Sequence, residues 1–153
     1  MTATENMTAS FDSWSNASQW SSRGGTPPSN TSNWLPSNDP CPPGFRVPTQ
    51  AEWAGVINVS LNPRTNAVGG SWTAGAGNWT NGVKYGPALF LPAAGSRSYS
   101  NGSLQVRGNV GFYWSSTVSN ASNAHYMTFS SSGQNTAAPN KSDGFPVRCV
   151  ADN

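Results

Sequence analysis

Trp53, Val56, Ile57 and Leu61 recur at i, i+3, i+4 and i+8, the repeat of one helical face. Thr49-Gln50-Ala51-Glu52 stands just ahead of them and reads as a capping box, with the Thr49 side chain on the Glu52 amide and the Glu52 carboxylate reaching back. Pro48 stops any earlier helix and Pro63 ends this one. The pattern therefore predicts a single helix over 49–59. Later stretches change period. Ala88-Leu89-Phe90-Leu91, Gly111 to Thr117, Ala124 to Phe129 and Phe145 to Val150 read as strands. Within the third, Tyr126 and Thr128 alternate with His125, Met127 and Phe129, which suits a strand with two different faces. Asn101-Gly102 and Ser132-Gly133 mark hairpin turns. Residues 62–85, rich in Gly, Asn and Trp, read as a long ordered loop with room for short strands. One early helix followed by several short strands is an α+β pattern.

Ahead of this body lies a stretch rich in Ser, Asn and Trp. Residues 1–33 read as an extension, partly packed through its tryptophans, and 34–153 as one domain, with Trp34 expected on the body. A chain of 153 residues fits one domain. The opening residues have neither a basic segment nor an apolar core, so they do not read as a secretory signal. The expectation is a fragment of something longer, or a protein exported by another route such as a phage particle.

Composition narrows the function. Only 9% of residues are charged, and the polarity comes from Ser, Asn, Thr and Gly, side chains that binding loops favour. The eight basic residues never cluster, so no nucleic-acid footprint is visible. No apolar run reaches the length of a membrane span. Catalytic chemistry is equally thin. His125 is the single histidine, and the six carboxylates are scattered, with Glu52 already assigned to a cap. No nucleophile–base pair, phosphate loop or metal-ligand spacing stands out, so neither enzyme activity nor a cofactor or metal is expected. Cys41 and Cys149 either pair or remain as buried thiols. A bond between them would close a loop of roughly 110 residues, worth about 4–5 kcal/mol in the chain-entropy model.

Four segments in order carry a resemblance. They are Asp39 to Thr49 (DPCPPGFRVPT) with Glu52-Trp53, Leu89 to Arg97 (LFLPAAGSR), Gly111 to Thr117 (GFYWSST), and Gly144 to Val150 (GFPVRCV). Together they resemble the Fibrobacter succinogenes major paralogous domain, a bacterial and phage module related to the C-type lectin fold, over roughly residues 34–150. The resemblance implies a C-type-lectin-like fold with one main helix packed on a mixed, largely antiparallel sheet, long ordered loops, chain ends brought together, and a Cys41–Cys149 disulfide. Trp114 would be a core residue beneath the sheet. Calcium-dependent sugar binding is not implied, because Ala138-Pro139-Asn140 lacks the acidic member of the usual loop. Nor do the cysteines stand in the motifs of the related formylglycine-generating enzymes.

The same fold and ending occur in the variable target proteins of diversity-generating retroelements, in which a rigid scaffold carries a diversified C-terminal segment. Residues 112–143 fit that role by type. The resemblance thus points to Tyr113, Ser119, Asn120, Asn123, His125, Tyr126, Met127, Asn135, Asn140 and Lys141 as a ligand surface for a protein or glycan receptor. The setting would be extracellular, on a cell surface or a phage virion, with oligomerisation left open. Alanine at Tyr126 is then expected to weaken binding and spare thermal stability. A structural or adhesive module without diversification is the alternative reading of the same segment.

Overall fold

The computed structural model describes residues 39–66, 72–75, 81–120, 123–139 and 143–152. The proposed extension, Asn140 and Lys141 lie outside the described residues. The architecture is mixed α+β, mostly β. Its elements are β1 (Phe45–Arg46), α1 (Gln50–Val56), β2 (Arg64–Thr65), β3 (Gly82–Tyr85), β4 (Leu89–Pro92), β5 (Ser96–Arg97), β6 (Leu104–Gln105), β7 (Gly111–Val118), β8 (Ala124–Phe129), β9 (Gln134–Ala137) and β10 (Val150–Ala151). They form four antiparallel sheets, ordered β1-β10, β2-β3-β4, β5-β6 and β7-β8-β9.

The helix begins where its cap predicts. The Thr49 side chain accepts from the Glu52 amide at 3.2 Å, and the Glu52 carboxylate accepts from the Thr49 amide at 2.7 Å. It ends sooner than the apolar spacing suggests. Asn62 donates to the Gly55 carbonyl and the Asn58 side chain accepts from Ser60, so side chains and tight turns replace the helical ladder. Leu61 consequently falls off the helical face and is 71% exposed.

Trp53 is the helix's buried residue, and Val56 and Ile57 pack beside it. The core they join holds Val83 and Tyr85 of β3, Leu91 of β4, Ala93, Tyr113 of β7, and Met127 and Phe129 of β8. Every strand contribution follows the two-residue alternation of a pleated sheet. Gly111 permits a close approach, since a side chain there would strike the Phe129 ring.

The free edge of β7 is closed by two carbonyls outside any regular strand. Trp114 N–H donates to Pro146 and Ser116 N–H to Pro48. The predicted strand over 145–150 is reduced to β10, with Gly144 making a single bridge to Arg97. Pro146 has no N–H to offer a ladder, and it bonds β7 through its carbonyl.

At the other edge of the body, Phe45 pairs with Ala151 and Arg46 with Val150. Cys41 and Cys149 form a disulfide beside that pairing. Asp39 folds this corner. Its carboxylate accepts from the amides of Cys41 and Val47, both at 2.9 Å. Arg46 then links the corner to the helix, forking onto both Glu52 oxygens at 2.7 Å and reaching Asp152 at 3.0 Å.

That fork sets an acid response. Arg46, helped by the Thr49 donors, holds the Glu52 carboxyl at about 2, below its ordinary value near 4.5. Between those values the unfolded chain binds a proton that the folded chain does not, so stability falls as the solution is acidified through this range. Glu52 is 40% exposed, and solvent screening keeps the effect small. Glutamine preserves the cap but cannot ionise. Melting temperature followed from about pH 5 down to about pH 2 should therefore fall more steeply in the wild type than in Glu52→Gln. Parallel curves would remove the ion pair from the account.

Candidate ligand-binding face

The sheet β7-β8-β9 has two unlike faces because successive side chains point to opposite sides. Tyr113 pairs with Met127 and Gly111 with Phe129 on the side of helix α1. The opposite side carries two cross-strand rows. One runs Phe112, Thr128, Asn135, and the other Trp114, Tyr126, Ala137. Phe145, from the segment along the β7 edge, lies over this second face. Its ring stacks on Phe112 with centroids 4.7 Å apart and a 15° tilt, and stands 4.5 Å from Trp114 and 5.1 Å from Tyr126.

Trp114 is buried at the base of this cluster, as its motif implied, while Phe112, Tyr126 and Phe145 are partly exposed. Thr128 and Ala137 are also partly exposed, and Asn135 is open to solvent. Apolar ring surface thus meets water next to small polar groups. That combination suits a binding surface, because rigid rings supply contact area at little entropic cost. Burial pushes the Tyr126 phenol upward, and the Asp143 carboxylate nearby pushes it the same way. Gly144 and Phe145 also line a shallow groove of about 320 Å³ with Gly95, Ser96, Leu104 and Pro146, which extends the apolar surface toward the β5-β6 hairpin.

The predicted site residues separate on this frame. Tyr113 and Met127 are corrected to core residues, at 5% and 0% exposure. Tyr113 packs on Trp53 and donates its hydroxyl to the Pro92 carbonyl at 2.9 Å. The reason is parity. Both sit one residue away from the open face and point into the helix layer. His125 shares the parity of Met127 and so faces away from Tyr126. It is partly buried, with its Nδ1 atom unbonded.

Ser119, Asn120 and Asn123 come together at the β7-β8 turn instead. There the Ser119 and Asn120 amides donate to the Asn123 carbonyl, and the Asn123 amide donates to the Asn120 side chain. Asn123 also donates to the Ala138 carbonyl, so it holds the turn rather than facing outward. Of the predicted set, Tyr126 and Asn135 remain on the open face. Phe112, Thr128, Ala137, Asp143 and Phe145 join them and were missed. The alternation Phe112/Tyr113/Trp114 carried the signal, but aromatic residues at both parities hide which side is core.

Residues 76–150 are similar to a family described as a domain of unknown function (DUF8237). No curated protein and no solved structure matches the chain. The matched stretch takes in β3 to β9, hence the whole open face with Asp143 and Phe145, and omits α1 and Cys41. Among the described residues no helix is long and apolar enough to cross a membrane, and no group of His, Cys, Asp or Glu gathers as a metal site.

Proposed function

We propose that the chain is a receptor-binding module of C-type-lectin-like fold, the variable target protein of a diversity-generating retroelement on a phage or bacterial surface. It would bind a protein or glycan receptor through its C-terminal segment. The observation that carries this reading is the partly exposed aromatic and polar face of β7-β8-β9, whose opposite side is fixed in the core. A surface that accepts substitution needs a frame that does not depend on it. The β1-β10 pairing, helix α1 and the Cys41–Cys149 disulfide support the fold assignment. A disulfide is also compatible with an extracellular setting.

Because Tyr126 packs against Phe112, Trp114 and Phe145, its truncation disturbs packing as well as any contact with a ligand. Alanine there is therefore a poor probe. Thr128 and Asn135 test the face without touching the core. Thr128→Lys and Asn135→Lys should abolish binding of the wild type's ligand on protein and glycan arrays, while shifting unfolding free energy by less than about 0.5 kcal/mol. Retained binding in both variants would move the site elsewhere. DNA flanking the gene tests the retroelement. It should hold a reverse-transcriptase gene and a near-copy of the stretch for residues 112–149, differing almost only at adenines. Without that copy the chain is an undiversified adhesive module.

A further inference from the structure

We infer that Arg64 is a positioning residue for the open face. Through side chains on the core side of the sheet it clamps the β8-β9 turn, and so holds Asn135 and Ala137 of β9 in row with Thr128 and Tyr126. The inference deepens the receptor-binding reading, and its consequence for binding rests on that reading.

β9 has little hold of its own. Gln134-Asn135-Thr136-Ala137 offers no large apolar side chain to the core, and Asn and Ala are depleted in strands. In its sheet it pairs with β8 alone. Yet it carries the ends of both cross-strand rows, Asn135 and Ala137. Something besides the ladder has to fix where those ends lie.

The anchor comes from β2. Arg64 donates Nη1 to the Gln134 side-chain oxygen at 2.7 Å and Nη2 to the Ser130 carbonyl. Just past β2, Asn66 donates its side-chain amide to the Ser131 carbonyl at 2.8 Å. The turn that joins β8 to β9 is thus held from one short strand. The helix holds it too, since the Gln134 side-chain nitrogen donates to the Ile57 carbonyl at 3.4 Å. Ile57 is the C-cap of α1, where helical carbonyls lack partners within the helix. The two ends of the Gln134 amide cannot trade places. A guanidinium only donates and a carbonyl only accepts, so the oxygen must meet Arg64 and the nitrogen Ile57. Gln134 stands opposite Phe129, on the core side of the sheet, and Asn135 one residue on takes the open side. A clamp on Gln134 therefore places its neighbour without standing where a ligand lands. Arginine suits the task, because its planar fork serves two acceptors at once, whereas an ammonium is a point charge.

Amide hydrogen exchange on the full chain tests the clamp. In Arg64→Ala the β9 amides should exchange about tenfold faster, as expected for loss of a charge-assisted contact. Amides of β3 and β7 should change by less than about twofold. Arg64→Lys should recover only part of the protection. Gln134→Ala should also speed exchange in β9, and it decides the matter if Arg64→Ala folds poorly. No acceleration in β9, or equal acceleration in β3, β7 and β9, overturns the clamp. A ligand found on arrays should bind Arg64→Ala about tenfold more weakly, although Arg64 does not touch it. Unchanged affinity beside a β9 that exchanges faster overturns the positioning role, yet leaves the receptor-binding reading intact. Faster exchange confined to β9, with no array ligand for the wild type, supports the clamp and counts against that broader reading.

Discussion

Reduction of the Cys41–Cys149 bond is expected to destabilise the domain by about 4–5 kcal/mol. The cross-link spans 108 residues of sequence, so the reduced unfolded chain regains the freedom of a long open loop. Domains of this size hold about 5–15 kcal/mol in total, and a loss of this order should lower the melting temperature by roughly 15 °C. Urea unfolding with and without reductant measures it directly. The Cys41→Ala/Cys149→Ala double variant should match the reduced wild type. Coincident curves for oxidised and reduced protein would show that the β1-β10 pairing holds the ends without help.

Trp53→Ala should cost about 3–5 kcal/mol, the usual range for emptying a buried tryptophan site. Trp53 is 2% exposed and packs on Tyr113 with ring centroids 5.9 Å apart. It also donates its indole N–H to the Trp114 carbonyl at 3.0 Å, inside the core. The ring therefore joins α1 to β7 twice, by packing and by a directed bond. Phenylalanine separates the two contributions. Trp53→Phe keeps most of the apolar surface but removes the hydrogen bond to that carbonyl, a loss of about 1 kcal/mol. Denaturant unfolding of both variants should rank them in that order. Equal losses would assign the whole effect to the hydrogen bond.

The helix start was legible because its signal is local: Thr49 and Glu52 are three residues apart and bond each other. Its end was not, since the side chains of Asn58 and Asn62 close it and apolar spacing is blind to them. β7 and β8 announced themselves through apolar and aromatic content. β9 did not, because Gln134 to Ala137 carries no hydrophobic alternation and owes its conformation to the β8 ladder beside it. β5 and β6 were readable only through the Asn101-Gly102 turn between them. In the site, alternation separated Tyr126 from Met127 correctly but assigned neither to a side, as rings occupy both faces of β7. The Asp39 carboxylate organises the corner that carries the disulfide. That role depends on Val47, eight residues away, and no sequence period records it.

The joining of Cys41 to Cys149 also has a mechanical meaning. Tension applied to the polypeptide on either side of the body passes from one sulfur to the other across a Cα separation of 5.8 Å. The helix, the core and the open face of β7-β8-β9 all lie within the bypassed loop. Pulling on the two flanking stretches of chain would therefore leave that face unloaded, for as long as the bond stays oxidised.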